Sequence, residues 1–456
     1  MIPFHGLRVA TIALMLSASA SYAADLKQCV DIALRQNPDI EASAAQLAQA
    51  EAALTQAKGG RWPKLTASVT GTRTNDPLNA FGLKLEQRGA TFNDFGAGQF
   101  TGPSALNVAP TNLNYPGTVN NYNTRFELQI PLYNGGMISG YIDQAHSFVK
   151  AAQAGDKAAR QQLVFRVIQA YQGVHAAQGY VKLAEQAKAT AAAYVKTTRN
   201  LMNQGVVVRS DLLFAEVNLA DMKVKLEEAK RAEAAAMDQL HLLLGMPLDE
   251  TLEIGPDYTQ GDVVGSVAEL QSEAVSGNPG INALRSQLAA AREGVNVARA
   301  DLYPHFNAVV RQDWNAPTLQ QTAPSYTLAG VLSWQVLDFG VIKGAVGRAE
   351  AARMELQAKL KSAEEGVRFQ VADAWRGAVE AESRLSARVD AVAQAEEAER
   401  LVFKRYENGV TTMVEVMAAE TQLDKARADE VAARYQLTVQ RSALLLAVGK
   451  LDGGQL

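Results

Sequence analysis

The sequence of 456 residues predicts a mixed, mainly α-helical fold that contains one structural unit twice. Three observations predict it. The same residues recur at a constant spacing over more than 100 positions, which indicates an internal repeat. Two very long segments without proline carry apolar residues at helical spacing, and four short segments alternate between apolar and polar residues. Each unit is therefore expected to combine a long helical hairpin with two amphipathic strands.

The repeat is clearest in the second half of each unit, where the offset is 204 residues. Gly205-Val206 recurs as Gly409-Val410, and Gly245 recurs as Gly449. Further upstream the offset becomes 241, because Asn37-Pro38 recurs as Asn278-Pro279. Other matched positions are Asp211 with Glu415, Glu216 with Glu420, Leu219 with Leu423, and Trp62-Pro63 with Tyr303-Pro304. We place the first repeat at 24–246, a linker at 247–267, the second repeat at 268–449 and a tail at 450–456.

The first 23 residues have the pattern of a secretory signal peptide. Arg8 supplies a positive charge, Val9 to Leu16 form an apolar run, and Ser21-Tyr22-Ala23 fits a cleavage site. The alternative, a transmembrane anchor, is less favoured because the apolar run is too short to span a bilayer.

Composition argues against several classes of function. The formal net charge of -4 is mild and does not favour a nucleic-acid partner. The single cysteine, Cys29, is expected to be a buried small apolar residue rather than a lipid-anchor site. The five histidines have no metal-ligand spacing, and the sequence contains no nucleophile–base set or phosphate-binding loop. We therefore expect no enzyme, no metal and no cofactor.

Each unit begins with helices and continues into strands. A short helix stops at Asn37 or Asn278, because the residue before proline is pushed out of the α region. A second helix runs from about 39 to 61, or from about 280 to 302. Alternation of apolar and polar residues then predicts strands at about 64–73, 122–133, 305–314 and 326–337. The segment 74–121 between the first two strands is rich in Gly, Asn, Pro and Phe and is predicted to be a long extracellular loop.

The second half of each unit is a predicted helical hairpin, at about 138–244 and about 341–448. The first helix of each hairpin covers about 66 residues, which at about 1.5 Å per residue gives a rod of about 100 Å. Gly205 and Gly409 are expected to end these helices, since glycine readily adopts the left-handed conformation. Many positions of the apolar stripe are alanine, which favours close helix packing.

Four strands alone cannot close a barrel, so strands that enter a membrane must be shared between several chains. Three aromatic residues stand near predicted strand ends, where membrane-interface aromatics are expected: Trp62, Tyr303 and Trp334. Packing at the corner between helix and strand is an equally acceptable role for them. The unburied stripes of the hairpins would likewise be covered by packing several chains side by side, which would make a conduit.

In order and spacing, these motifs resemble those of TolC-type outer-membrane factors, the outer membrane efflux protein family. The resemblance covers nearly all of the chain after residue 23. It is carried by these segments: Ala33-Leu34 with Asn37-Pro38, Trp62-Pro63, Pro131 to Gly136, Trp334 to Gly340, Asn203 to Val206 with Ser210-Asp211-Leu212, and Tyr406 to Val410 with Val414-Glu415-Val416.

The resemblance implies a homotrimer in the outer membrane of a Gram-negative bacterium, with most of the chain in the periplasm. Four strands from each chain would form one β-barrel in the lipid, and the hairpins would form a periplasmic α-barrel. The assembly would be the exit duct of a tripartite efflux pump or type I secretion system. Its partners would be a periplasmic adaptor (membrane fusion) protein and an inner-membrane pump. The alternative from another class is a periplasmic coiled-coil scaffold or adaptor without channel activity.

The resemblance also implies a closed entrance at the helical tips. It assigns a hydrogen bond from Tyr406 to Asp211, with Ser210 beside it, and a ring of carboxylates from Glu415. The family's arginine two residues after the second tip glycine is replaced here by Thr411. The adaptor would contact Gly205, Val206, Gly409 and Val410. Helix capping remains an alternative for Asp211 and Glu415, and packing for Tyr406. Glu396, Glu397 and Glu399 are expected on a solvated face.

Overall fold

A computed structural model describes residues 24–453, and it is mainly helical with one antiparallel sheet. The predicted signal peptide at 1–23 and the last three residues lie outside the described residues. The elements are, in chain order, α1 (Leu26–Gln36), α2 (Pro38–Gly59), β1 (Lys64–Thr74), α3 (Pro77–Glu86), α4 (Thr111–Asn114), β2 (Val119–Asn134), α5 (Met137–Asn203), α6 (Arg209–Leu244), α7 (Val267–Gly277), α8 (Pro279–Ala300), β3 (His305–Ala316), β4 (Ala323–Ser333), α9 (Val341–Glu407) and α10 (Met413–Val448).

The predicted mainly helical fold with four strands is confirmed. The two long helices α5 and α9 are continuous, with 67 residues each, and α6 and α10 follow them with 36 residues each. Within residues 24–453, no helix combines the length and the apolar character needed to cross a bilayer.

The chain forms two compact units that do not coincide with the two repeats. The first unit comprises the described residues of Met1–Ala45, Ala154–Asn282 and Ala363–Leu456. The second comprises Gln46–Gln153 and Ala283–Ser362. Each unit takes segments from both repeats, so neither repeat folds as a separate body.

The Asn-Pro pairs have a structural role in the first unit. The Asn37 side chain is buried, and its amide donates a 2.8 Å hydrogen bond to the carbonyl of Leu243 near the end of α6. Its side-chain oxygen accepts from the backbone N–H of Asp39 at 2.8 Å, at the start of α2. One side chain thus satisfies backbone groups at the ends of two helices, where intrahelical partners are missing. Asn278 forms the equivalent hydrogen bond, from its amide to the carbonyl of Ala447, at a longer distance of 3.4 Å.

The core of the first unit is built around Tyr171 and Cys29, which are fully buried. The Tyr171 hydroxyl donates a 2.8 Å hydrogen bond to the carbonyl of Pro256 in the linker between the repeats. The linker also forms a parallel bridge between Ile254 and Ala24. Burial raises the pKa of the Cys29 thiol to about 12, so the thiol stays protonated and behaves as an apolar group.

The sheet of the second unit has the order β1-β2-β3-β4, with every neighbouring pair antiparallel. Its register separates two faces. On one face, Ser68 lies opposite Arg125, which lies opposite Asp313. On the other face, Leu65 lies opposite Leu128, which lies opposite Val310. Because side chains alternate along a strand, one face is polar and the other is largely apolar.

Two expectations for the second unit need correction. The fourth strand ends at Ser333 and not at 337, because the Asp338 carboxylate turns the chain by accepting hydrogen bonds from the backbone of Gly340 and Ile342. The segment 74–121 is folded rather than an irregular loop: it contains α3, α4 and three 3₁₀ turns. Lys84 and Asp94 form a 2.6 Å ion pair inside it. Elements this short show no periodicity, so their local contacts are invisible in the sequence pattern.

The Asn37 contact yields a prediction about stability. Asn37→Ala leaves the Leu243 carbonyl without its side-chain donor and should lower the free energy of unfolding by about 1–2 kcal/mol. Asn278→Ala is the matched variant, and its longer bond should make the loss smaller. Urea unfolding followed by circular dichroism measures both. Equal losses, or no loss for Asn37→Ala, would contradict the assignment.

Candidate functional site: the helical tips

The two helical hairpins of the first unit turn at Gly205 and Gly409, which both have positive φ, +74° and +71°. At each tip the glycine N–H and the next N–H bond back to the last turn of the preceding helix. Val206 donates to Leu201 at 2.9 Å, and Val410 donates to Arg405 at 2.9 Å. This is the Schellman arrangement, which requires the left-handed conformation that glycine adopts without strain. The predicted tip positions are therefore correct.

The side chains beside the tips are exposed. Val206 is 47% exposed and Val410 is 67% exposed. The two tips also approach each other, since a Cβ built on Gly409 would lie 3.4 Å from a methyl carbon of Val206. Together Gly205, Val206, Gly409 and Val410 form a small apolar surface.

Behind the tips, one cluster of buried side chains joins the two hairpins. It contains residues of all four long helices: Tyr194 and Val195 from α5, Ala215 from α6, Tyr406 from α9, and Met413 and Val416 from α10. The hairpins are thus held together a short distance from their exposed ends.

Tyr406 is fully buried in this cluster, but its partner is not the predicted one. Its hydroxyl donates a 3.1 Å hydrogen bond to the hydroxyl of Thr198, which is also fully buried. The predicted hydrogen bond to Asp211 is absent from the described residues. The hydroxyl of Tyr406 is thus bonded to α5 and not to the start of α6. Burial raises the pKa of Tyr406, and the nearby charge of Asp211 adds to that effect.

The other predicted gating residues lie on the surface of the tips. Ser210 and Glu415 are exposed and Asp211 is half-buried. Asp211 and Glu415 occupy the first turns of α6 and α10, whose N-cap residues Val208 and Thr412 make no side-chain cap hydrogen bond. These acids therefore act on the helix ends through charge, and their carboxylates remain available to other groups.

A second polar cluster, which the sequence did not predict, lies among the same helices. The Tyr194 hydroxyl lies 3.1 Å from a carboxyl oxygen of Glu420 and closer still to one of Glu399. Glu420 is buried, and this burial together with the charge of Asp424 raises its pKa to about 7. The expectation that Glu399 faces solvent is therefore wrong. Glu396 and Glu397 are exposed as expected and form ion pairs with Arg427 and Arg400.

In the internal repeat, the only indication of this cluster is the acid shared at one matched position. Glu420 matches Glu216 at the offset of 204, yet Glu216 is exposed and pairs with Arg199 at 2.8 Å. Equivalent positions in the two hairpins thus differ in burial, and only the packing of the helices decides which one turns inward.

The three aromatic residues predicted at strand ends belong to the second unit and are exposed: Trp62 by 74%, Tyr303 by 52% and Trp334 by 58%. The indole N–H of Trp334 donates a 3.1 Å hydrogen bond to the carbonyl of Leu302, just before β3. That bond fixes the ring at the corner between helix and strand while leaving most of its surface free.

Comparison with known proteins decides the family. The family model described as outer membrane efflux protein matches residues 29–246 and 270–450. The chain belongs to the outer membrane efflux protein family. This family consists of outer membrane efflux proteins, which are channels and not enzymes. The two separately matched segments also agree with the internal repeat.

Individual relatives are more distant. The chain is 28% identical over 217 residues to the pyoverdine export outer membrane protein OpmQ of Pseudomonas putida, covering 47% of this chain and 46% of the relative. It is 27% identical over 192 residues to the alkaline protease secretion protein AprF of Pseudomonas aeruginosa, covering 41% and 39%. The matches thus span less than half of either relative.

The fold is shared over the whole described chain. The structure of the MtrE outer membrane channel of Neisseria gonorrhoeae, in its open state, superposes with a TM-score of 0.74. That match covers 99% of this chain and 98% of MtrE, at 20% identity. The chain thus shares the fold of an outer membrane channel.

The buried hydroxyl pair predicts a specific energetic coupling. Tyr406→Phe and Thr198→Val each remove one partner of the same bond, so their destabilising effects should not add. The double-mutant coupling energy should be about 1 kcal/mol. The same cycle with Tyr406→Phe and Asp211→Asn is the control and should give a coupling near zero. Urea unfolding of the wild type, the three single variants and the two double variants provides the values. A larger coupling with Asp211 would overturn the assignment.

Proposed function

We propose that this chain forms, as a homotrimer, the exit channel of a tripartite efflux pump or type I secretion system. The observation that carries the proposal is the four-stranded sheet of the second unit, with one polar face, one apolar face and two unpaired edges.

The edges require other chains. β1 and β4 each pair on one side only, so each presents a row of unpaired backbone N–H and C=O groups. In lipid such groups must be paired, because no water is there to bind them. Four strands are too few to close on themselves, whereas twelve from three chains are within the range of outer-membrane barrels. The edges of three chains therefore pair with one another around a ring.

The faces distinguish the inside of the barrel from the outside. The apolar face is exposed in the single chain: Leu65 by 66%, Val69 by 61% and Leu328 by 69%. A contiguous exposed apolar surface of this kind indicates contact with another apolar phase, and we assign it to outer-membrane lipid. Trp62, Tyr303 and Trp334 then anchor the sheet at the membrane interface.

The polar face is suited to line an aqueous channel. Arg125 forms a 2.7 Å ion pair with Asp313 directly across the β2–β3 ladder, and Glu127 pairs in the same way with Arg311 at 2.8 Å. Asn121 and Asn315 continue the row with a 2.8 Å hydrogen bond. Because these charges are paired, the wall is polar without a large excess of either sign.

The tips of the first unit form the closed entrance. The Tyr406–Thr198 bond holds α9 against α5 inside each chain, while Asp211, Ser210 and Glu415 are accessible to neighbouring chains. Three Glu415 carboxylates, one from each chain, would form a ring that attracts cations. Opening would require the second hairpin to move away from the first.

The apolar surface at Gly205, Val206, Gly409 and Val410 is the proposed contact for a periplasmic adaptor protein. The adaptor would in turn connect the channel to an inner-membrane pump. OpmQ and AprF carry the names of proteins for pyoverdine export and for alkaline protease secretion. We propose efflux or secretion for this chain on the same basis, with substrate choice made by the pump. A periplasmic scaffold without a channel would not need a two-faced sheet with open edges.

The central test is channel formation. Purified protein should be recovered from outer-membrane fractions as a trimer that dissociates to monomer on heating, and it should conduct ions in a planar bilayer. Tyr406→Phe combined with Thr198→Val should raise the conductance, because the second hairpin is released from the first. A monomeric protein in the soluble periplasmic fraction would contradict the channel proposal. Asp211→Ala is a separate variant that tests the contact between chains.

Glu415 yields a prediction about ion selectivity. Glu415→Gln removes three negative charges from the proposed entrance ring and should reduce the preference for cations over anions. The reversal potential across a salt gradient measures that preference. Glu216→Gln is the control, since Glu216 is exposed and paired with Arg199. An unchanged reversal potential for Glu415→Gln would remove the ring from the entrance.

A further inference from the structure

In the cluster of Tyr194, Glu399 and Glu420, two carboxyl groups contact one hydroxyl group, which has only one proton to donate. The hydroxyl of Tyr194 on α5 lies within hydrogen-bond distance of Glu399 on α9 and of Glu420 on α10. A phenolic hydroxyl has one proton and can donate one hydrogen bond, and an ionised carboxylate donates none. Both contacts are hydrogen bonds only if one carboxyl group is protonated and donates to the Tyr194 oxygen.

Burial identifies the protonated acid as Glu420. Its side chain belongs to a residue that is only 7% exposed, whereas Glu399 is half-buried. Burial raises the pKa of Glu420 from 4.5 to about 7, with further contributions from the charges of Asp424 and Glu399. Hydrogen bonding to Tyr194 and the charge of Arg427 act in the opposite direction.

The charged groups around this cluster come from every helix that packs there. α9 contributes Glu399 and also Glu396, which pairs with Arg427 at 2.8 Å. α10 contributes Asp424 and Arg427, and α6 contributes Lys225, whose charge acts on Asp424. α5 contributes Tyr194 itself. Arg427 pairs with Glu396 and also lowers the pKa of Glu420, but burial and the charges of Asp424 and Glu399 outweigh it.

We propose that Tyr194, Glu399 and Glu420 form a proton-dependent clasp that positions the second hairpin against the first and so holds the entrance closed. With Glu420 protonated, its O–H donates to Tyr194, and Tyr194 donates to Glu399; α5, α9 and α10 are joined in one chain of hydrogen bonds. When the proton leaves, two carboxylates face the same hydroxyl, one contact is lost and the remaining charges repel each other. The inference rests on the proposed gating at the tips.

The clasp exists only because the two repeats differ. At the offset of 204, Tyr194 corresponds to Ala398 and Glu399 corresponds to Val195. Glu420 corresponds to Glu216, which is exposed and paired with Arg199. The first hairpin thus supplies the tyrosine, and the second supplies the two acids. Substituting Glu216 by Gln makes the same chemical change outside the clasp and serves as a control.

The direction of the pH effect follows from proton linkage. In the closed state the pKa of Glu420 is about 7, and on opening it falls toward 4.5 as the group reaches water. The clasp therefore stabilises the closed state relative to the open state in full below about pH 4.5. This stabilisation declines as the pH rises to about 7. Above that value it stays constant, with the open-to-closed ratio raised by roughly 300-fold per chain relative to acidic pH.

The test is the pH dependence of single-channel current through the purified trimer in a planar bilayer. Wild-type current should rise between about pH 4.5 and about 7 and then level off. Glu420→Gln keeps a donor for the Tyr194 oxygen without a titratable proton, so its current should stay low throughout. Tyr194→Phe removes the central hydroxyl and should show high current already at the acidic end. Glu216→Gln should follow the wild type.

Each outcome bears on the clasp separately from the channel. A conducting wild type whose current does not change across this range overturns the clasp and leaves the channel intact. A pH response retained in full by Glu420→Gln shows that the titrating group lies outside the clasp and overturns the clasp as well. No current for any variant at any pH contradicts the proposed channel itself. Trimer formation of each variant, tested by heating, ensures that folded assemblies are compared.

Discussion

The unpaired edges of the four-stranded sheet are the constraint on which the rest of the structure depends. Within residues 24–453, β1 and β4 each pair with another strand on one side only, and unpaired backbone groups in lipid cost several kcal/mol each. A single chain therefore cannot place this sheet in a membrane. The need for neighbouring chains also explains two exposed surfaces. In the assembly, lipid covers the apolar face of the sheet, and neighbouring chains cover the exposed helical surfaces.

The helical tips of the first unit meet a different requirement, because in the proposed channel they close the entrance and must also be able to open it. Large apolar interfaces would close it permanently. Here the buried contacts between the hairpins instead include two small polar groups, Tyr406 with Thr198 and Tyr194 with Glu399 and Glu420. Buried polar contacts are strong when complete and costly when one partner is lost. Loss of one partner in either group therefore weakens the contact between the hairpins sharply.

Much of the fold could be predicted from the sequence, because its signals are local. Period-2 alternation located β1 and β3, and Gly205 and Gly409 marked both tips, since a left-handed residue is needed there. Positions that depend on helix rotation could not be predicted. Thr198 as the partner of Tyr406, and the inward direction of Glu399, follow from how α5 and α9 turn toward each other. The end of β4 at Ser333 was also missed, because the alternation continues through Trp334 and Val336 while Asp338 already turns the chain.

A barrel wall made from this sheet requires that its two faces meet different surroundings, water on one side and lipid on the other. Single cysteines introduced along β1 of a Cys29→Ser variant can be tested in intact outer membranes with a membrane-impermeant, water-soluble thiol reagent. Positions 66, 68 and 70 should react because they face the aqueous channel, while positions 65, 67 and 69 should be protected by lipid. The same rate at all six positions, or the opposite alternation, would contradict a shared barrel with this sheet as its wall.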